Sequence, residues 1–95
     1  MKNIIIRLRV NYQNDVDEIR GLLTEQARLS LLEPGCHRFE VLHSQDDRTV
    51  FFLIEQWESP EAHEVHRTAQ AYTEIYQPRV LPKAERIAHV SDIVA

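Results

Sequence analysis

Hydrophobic and polar residues alternate over the first ten positions of the chain. The residues that share one side of an extended segment are all apolar: Ile4, Ile6, Leu8 and Val10. Most positions between them are polar or charged. A period of two is the pattern of a β-strand, so the sequence predicts a strand over residues 3–10.

After residue 15 the spacing of apolar residues becomes that of a helix. The apolar positions lie three and four residues apart at Val16, Ile19, Leu22, Leu23 and Ala27. Asp15 and Glu18 have the spacing of a capping box, which is typical of a helix start. Pro34 disfavours helical backbone in the residue before it. The sequence therefore predicts a helix that runs to about residue 32.

The middle of the chain predicts a pair of strands joined by a turn. A short strand is expected over 38–43 and a second strand over 49–57, with polar residues 45–48 between them. The second strand is apolar on both of its faces, because Phe52 and Ile54 alternate with Phe51 and Leu53. A strand of this kind lies in the centre of a sheet that is covered on both sides.

The last third predicts a helix followed by a strand. Ser59 is a favoured N-cap residue, and Pro60 suits the first helical position. The helix is expected to continue to about residue 77, with a break near residues 69–70, and a final strand is expected over 84–94.

The predicted order βαββαβ is that of the ferredoxin-like fold, in which both helices cover one face of a four-stranded antiparallel sheet. The α+β chain of 95 residues is expected to form a single domain, 1–95. The other face of the central strand also needs cover. A second copy of the chain is the simplest source, so we expect a homodimer that packs sheet on sheet.

The composition of the chain limits the partners and the cellular location that we expect. The net charge is −4 and the basic residues are scattered, which argues against a nucleic-acid partner. The single Cys36 excludes an internal disulfide framework. No apolar run approaches the roughly 20 residues of a membrane span, and the first residues do not resemble a signal peptide. We therefore expect a cytoplasmic protein without a membrane partner.

The second predicted helix carries candidate catalytic and metal-binding residues. Its inward face is expected to carry small, aromatic and imidazole side chains: Ala62, Val65, His66, Ala69, Tyr72 and Tyr76. His63 is expected to lie off that face, so the two histidines do not make a metal site, which needs a third ligand. His66 has two interpretations, either a hydrogen-bonded core residue or a catalytic one.

Polar residues from other elements are expected near His66. Gln26 and Ser30 lie on the sheet-facing side of the first helix, and Glu55 shares a strand face with Trp57. A buried glutamate is costly unless it is paired, and His66 or an arginine is the expected partner. These groups would form an apolar pocket with a few polar side chains. The alternative is that they are solvated at its rim.

Two motifs resemble those of the antibiotic biosynthesis monooxygenase family. The first is the run Ile-Glu-Gln-Trp-Glu-Ser at 54–59, followed by Ala62 and His66, and the second is Glu-Pro-Gly-Cys at 33–36. The chain is most similar in these motifs to small bacterial quinol monooxygenases. One departure is Ala71, which stands where family members often have a second histidine.

The resemblance implies a dimer with a joint β-barrel and a pocket between sheet and helices in each subunit. It implies oxidation of a quinol or related phenolic aromatic by O₂ without metal, flavin or other cofactor. On this reading His66 and Glu55 are catalytic. The implied substrate-binding residues are Trp57, Tyr72, Tyr76, Gln26 and Ser30.

Two other functions remain open. One is a non-enzymatic dimeric module for binding or regulation, which predicts a filled interior. The other is isomerisation of a small sugar-like ligand on the same scaffold. That reaction calls for cationic residues in the pocket, for which Arg9, Arg38 and Arg86 are the candidates.

Overall fold

A computed structural model describes residues 1–95. The elements, in chain order, are β1 (Lys2–Val10), α1 (Val16–Ser30), β2 (Cys36–His43), β3 (Val50–Trp57), α2 (Pro60–His66), a π-helix (Ala71–Val80) and β4 (Ala84–Ser91). Short 3-10 turns occupy Gln13–Asp15 and Leu81–Lys83. All strand pairs are antiparallel, and the strand order is β2-β3-β1-β4. The predicted ferredoxin-like fold is confirmed.

The alternation seen in the sequence places the core on the helix-facing side of the sheet. Ile6 of β1 lies opposite Leu53 of β3 and Ala88 of β4. Ile6 and Leu53 are buried, together with the inward residues of α1, in one cluster. Because side chains on a strand alternate between faces, the same register leaves the odd-numbered residues of β1 on the other side.

The opposite face of the sheet is not covered within the chain. Its central apolar stripe consists of Ile5, Leu42, Phe52, Ile54 and Ile87. Ile5, Leu42 and Ile87 are 37, 47 and 48 % exposed, respectively. Strand β3 has two apolar faces, and only one of them is therefore covered by helices of the same chain. No helix is long and apolar enough to cross a membrane.

The second helical region is divided, as predicted, but its second part is not an α-helix. α2 ends at His66, the chain bends, and a π-helix begins at Ala71 and runs to Val80. The wider spacing is visible where the N–H of Leu81 donates to the carbonyl of Tyr76, five residues earlier. π-helical turns are rare in proteins, and those that occur are often found at functional sites.

The predicted cap of the first helix and the predicted end of the last strand are wrong. Asp15 does not cap α1; Lys83 Nζ instead lies 3.5 Å from Asp15 Oδ1 and 2.8 Å from Glu18 Oε1. β4 ends at Ser91, and residues 92–94 are not in a strand, because the partner strand β1 begins only at Lys2. The predicted cap of α2 is confirmed, since Ser59 Oγ accepts a hydrogen bond from the N–H of Ala62 at 3.1 Å.

Candidate functional site

β3 brings two functional candidates to the buried face of the sheet. Trp57 is fully buried and Glu55 is 4 % exposed. The indole Nε1–H of Trp57 donates to Glu55 Oε1 at 2.9 Å. Burial raises the pKa of Glu55 to about 6, although this bond and the charge of Arg86 act in the opposite direction. Glu55 is thus buried and paired, as expected, but with a different partner.

His66 is paired with Glu33, which corrects the expectation that it pairs with Glu55. Its Nδ1 lies 2.7 Å from Glu33 Oε1, and the two side chains are 3 and 14 % exposed. Glu55 instead accepts a hydrogen bond from Trp57, two positions away on its own strand face. Sequence reasoning placed Glu33 in a family motif but gave it no role at the site.

A left-handed glycine explains how Glu33 reaches α2. Gly35 has φ +80°, and a Cβ at this position would lie only 2.8 Å from the Cβ of Ala62. The carbonyl of Gly35 accepts a hydrogen bond from the N–H of Glu58 at 2.8 Å. The turn after α1 therefore packs directly on the start of α2. The proline–glycine pair beside a glutamate was the available signal in the sequence.

Aromatic rings surround His66. Its ring centroid lies 4.4 Å from that of Trp57 and 6.0 Å from that of Phe39. Tyr72, from the start of the π-helix, meets it edge-on at 5.8 Å. His66 Nε2 makes no hydrogen bond within the chain. The imidazole is therefore held by Glu33 at one nitrogen and lies among aromatic side chains.

Tyr76 extends this aromatic group toward β4. Its ring lies 5.6 Å from that of Tyr72, and its hydroxyl accepts a hydrogen bond from Arg86 Nε at 3.0 Å. Burial raises the pKa of Tyr76 to about 12. Arg9 and Arg38 lie on the opposite face of the sheet. Three arginines were candidates for the cationic residues of an isomerase site. Of these, only Arg86 lies near the site.

His63 is buried, contrary to the expectation that it lies off the inward face. It is 6 % exposed, whereas Val65, which was expected inside, is 58 % exposed. Both residues lie within α2, and the side of α2 that is buried carries His63 and His66, three residues apart. The rings of His63 and His66 are 5.9 Å apart. Burial lowers the pKa of each to about 4.

No group of three or more His, Cys, Asp or Glu side chains is placed to hold a metal ion. That the chemistry needs neither metal nor organic cofactor stays a prediction.

Gln26 and Ser30 lie inside the protein, with exposures of 1 and 0 %. The alternative that they are solvated at a rim is therefore wrong. Gln26 Oε1, Ser30 Oγ and His63 Nδ1 are buried without hydrogen-bond partners. Each unsatisfied group costs about 1–3 kcal/mol. These three atoms are available for hydrogen bonds to a bound molecule or to water.

The expected pocket between the sheet and the helices is not open in this structure. The two cavities, each about 230 Å³, lie elsewhere. One is beside the start of α1, around Arg20 and His43, and the other is on the uncovered sheet face around Asn3 and Ile54. Neither is lined by His66 or Trp57, because the aromatic side chains themselves fill the interior.

The fold and the buried residues around His66 were compared with known protein families. The family described as Antibiotic biosynthesis monooxygenase matches residues 1–77. The chain belongs to this family, as its two motifs indicated. A search of the curated proteins found none with significant sequence similarity.

Solved structures share the whole fold. A protein of Bacteroides thetaiotaomicron superposes with a TM-score of 0.88 at 21 % identity, covering 97 % of this chain and 96 % of its own. SnoaB, a cofactor-independent oxygenase from Streptomyces nogalater, gives 0.84 at 13 % identity and 99 and 93 % coverage. Rv0793 from Mycobacterium tuberculosis gives 0.81 at 19 % identity and covers both chains fully. At these identities the likeness establishes the fold.

Proposed function

We propose that the protein is a monooxygenase that oxidises a quinol or related phenolic aromatic with O₂ and uses no metal or organic cofactor. The observation that carries this proposal is the buried His66. Its Nδ1 is held by Glu33, its Nε2 makes no hydrogen bond in the chain, and its ring lies 4.4 Å from Trp57. A neutral imidazole in an aromatic environment is suited to accept a proton from a phenol.

The reaction balances without an external reductant. Nε2 of His66 takes the proton of a substrate hydroxyl, and the electron-rich anion that remains reduces O₂. One oxygen atom replaces a ring hydrogen and the other leaves as water, so that a quinol and O₂ give a hydroxyquinone and water. All four electrons come from the quinol. The protein has to bind the aromatic, accept the proton and exclude bulk water.

The other site residues have roles that follow from their places. Trp57, Tyr72 and Tyr76 supply aromatic walls, and the unpaired oxygens of Gln26 and Ser30 supply hydrogen bonds to substrate oxygens. Glu55 holds the indole of Trp57 with one carboxylate oxygen. Its other oxygen bonds no protein group and is a second proton acceptor.

Binding requires the closed interior to open. The segment between α2 and the π-helix, residues 67–70, is the part of the helical layer that lies outside regular helix. The N–H groups of Thr68 and Ala69 make turn hydrogen bonds to α2, and the carbonyl of Ala69 accepts from the N–H groups of Tyr72 and Thr73 in the π-helix. A shift of this segment would separate Tyr72 from His66 and admit a planar ring. Conformational opening of this kind commonly takes microseconds to milliseconds.

Oxygen uptake tests the proposal. The protein is treated with a chelator and mixed with reduced naphthalene and benzene quinols, and O₂ consumption above the buffer rate is recorded. We expect uptake with at least one quinol that does not change with chelator. Uptake equal to buffer for every quinol, with folded protein, would contradict the proposal.

The filled interior favours a second candidate, a dimeric binding or regulatory module without catalysis. On this account Gln26, Ser30 and His63 keep their polar atoms unpaired or bound to water. It predicts that quinols neither bind nor react. Perturbation of Trp57 fluorescence by a non-oxidisable naphthol separates the two functions, since only the first requires an aromatic to reach the indole.

A further inference from the structure

We infer that Glu33 is a positioning residue that decides which nitrogen of His66 carries the proton, and thereby whether Nε2 is a proton acceptor. In its catalytic consequence this inference rests on the proposed function, but the state of the imidazole is measurable without any substrate. The Glu-Pro-Gly-Cys motif at 33–36 thereby has a chemical role and also forms the turn after α1.

The geometry is that of a carboxyl–imidazole pair in which the imidazole is buried and the carboxyl is largely buried. Glu33 Oε1 lies 2.7 Å from His66 Nδ1, and no other hydrogen bond is made by either side chain. The pair joins residues 33 positions apart, and Gly35 fixes the turn that brings them together. A hydrogen bond of this length contains one proton, which lies either on the carboxyl or on the ring.

The position of that proton sets the chemistry of Nε2. When Glu33 is ionised, Nδ1–H of the ring donates to the carboxylate and Nε2 keeps a free lone pair. When Glu33 is protonated, its O–H donates to Nδ1, and the ring proton then resides on Nε2. The same histidine is an acceptor toward the aromatic site in the first state and a donor in the second.

Burial places this exchange in the neutral range. It raises the pKa of Glu33 to about 7 and lowers that of His66 to about 4. The imidazole therefore stays neutral while Glu33 gains or loses its proton. The acceptor state of Nε2 is present above about pH 7 and is lost as the pH falls through that value.

Several other groups face the pair. They come from β2, β3, α2 and the π-helix: Cys36, Glu55, His63, Arg67 and Tyr72. The positive charge of Arg67 also lowers the pKa of His66. The negative charge of ionised Glu33 raises the pKa of Glu55 and of the Cys36 thiol. Ionisation of Glu33 itself is opposed by burial.

Nitrogen NMR of the ¹⁵N-labelled protein tests the inference, because protonated and unprotonated ring nitrogens have well-separated shifts. We expect His66 to carry its proton on Nδ1 at pH 9 and on Nε2 at pH 5, with a midpoint near pH 7. His66 is assigned by the loss of its signals in His66→Gln. A single tautomer throughout this range in the wild type would overturn the inference without any need for a variant at Glu33.

Glu33→Gln supplies the second arm. A glutamine side chain can donate its amide N–H to Nδ1 or accept from Nδ1–H through Oε1, and neither arrangement changes with pH, so we expect a single tautomer throughout and no titration near pH 7. The matched control is Glu58→Gln, which removes a side chain that is 68 % exposed on the same side of the molecule and should titrate as the wild type. If Glu33→Gln does not fold, Glu33→Asp, with a carboxylate one methylene shorter, should shift the midpoint. Wild-type titration in a folded Glu33 variant contradicts the inference.

Kinetics separate this inference from the proposed function. If a quinol is turned over, kcat/KM should rise with pH through about 7 in the wild type. It should be flat across that range in Glu33→Gln, which has no titrating group beside His66. A tautomer switch in a protein that oxidises no quinol would support the role of Glu33 and refute the proposed function. Turnover with an unchanged pH profile in Glu33→Gln would refute the role of Glu33 alone.

Discussion

The indole N–H of Trp57 donates to the carboxylate of Glu55 at 2.9 Å, two positions earlier on the same face of β3. Both side chains are buried, so the bond satisfies the only polar atom of the tryptophan and one oxygen of a costly buried carboxyl. Glu55 therefore pairs with the indole, while His66 pairs with Glu33.

Trp57→Ala should therefore destabilise the fold strongly. We expect a loss of about 3–5 kcal/mol in the free energy of unfolding, the usual range for removal of a large core aromatic. Trp57→Phe keeps most of the apolar volume but leaves Glu55 without its donor, and it should cost about 1–3 kcal/mol. Urea unfolding measures both. A loss under about 1 kcal/mol for the alanine variant would mean that the indole is not packed in the interior.

Gly35 and Gly21 should respond to alanine in opposite directions. Gly35 is left-handed and a Cβ there meets Ala62 at 2.8 Å, whereas nothing lies within 4 Å of a Cβ at Gly21, which is in α1. Left-handed backbone costs a residue with a side chain about 1–2 kcal/mol before any clash. We expect Gly35→Ala to lose more than 1 kcal/mol.

The Gly21 variant is the control for the same change of side chain. Alanine favours helix over glycine by roughly 0.5–1 kcal/mol, so Gly21→Ala should be more stable than the wild type. Thermal melts of the two variants compare them directly. Equal effects at both positions would show that the turn at Gly35 is not constrained against α2.

The pH dependence of stability should reveal two opposing sets of buried groups. Folding raises the pKa of Glu55 from 4.5 to about 6, so its ionisation penalises the folded state progressively as the pH rises from 4.5 to 6. Folding lowers the pKa of His66 from 6.5 to about 4, so its protonation penalises the folded state as the pH falls from 6.5 to 4. Glu33 acts in the same direction as Glu55, and His63 in the same direction as His66. The slopes oppose one another between pH 4.5 and 6.

Glu55→Gln removes one of the carboxyl contributions. Relative to the wild type, we expect the variant to gain about 1–2 kcal/mol in the free energy of unfolding between pH 4.5 and 6, at about 1.4 kcal/mol per pKa unit. Urea titrations at the two pH values give this difference. Glu61→Gln, in the exposed first turn of α2, controls for the loss of one negative charge. A difference between Glu55→Gln and wild type that is the same at both pH values would contradict the buried state of Glu55.

We propose that a second copy of the chain covers the uncovered sheet face. Ile54 lies in its apolar stripe on central strand β3, and the same face carries both Arg7 and Glu40, so it is self-complementary in charge. Ile54→Arg should convert the dimer to a monomer in sedimentation at micromolar concentration. Val65→Arg places the same charge at an exposed position on α2 and should remain dimeric. A wild-type monomer, or a dimeric Ile54→Arg variant, would refute this interface.

The elements whose side chains repeat with a clear period could be predicted from the sequence. β1 followed from alternation, and the start of α2 from Ser59 and Pro60. The π-helix could not be predicted, because its five-residue hydrogen bonds leave no distinct apolar period in a ten-residue segment. The burial of His63 was missed because the side of the seven-residue helix α2 that faces the sheet is set by packing, with the His63 ring 5.9 Å from that of Trp57.

The burial of five candidate residues could be predicted from the sequence, but the pairing of these residues and the presence of Glu33 and His63 beside them could not. Glu55, Trp57, His66, Gln26 and Ser30 all lie inside, as their positions on element faces indicated. The contact between Glu33 and His66 spans 33 residues and depends on the left-handed turn at Gly35, which no local periodicity reports. Side-chain pairing between distant elements is set by tertiary packing.

Oxidation of a quinol under ¹⁸O₂ tests the central claim most directly. A naphthalene quinol is incubated with chelator-treated protein in unlabelled water, and the product is analysed at early times by mass spectrometry. We predict a hydroxyquinone with one ¹⁸O atom, formed at least about 10²-fold more slowly by a folded His66→Gln variant. Absence of ¹⁸O from the product, or equal rates of labelled product for the wild type and His66→Gln, would contradict it.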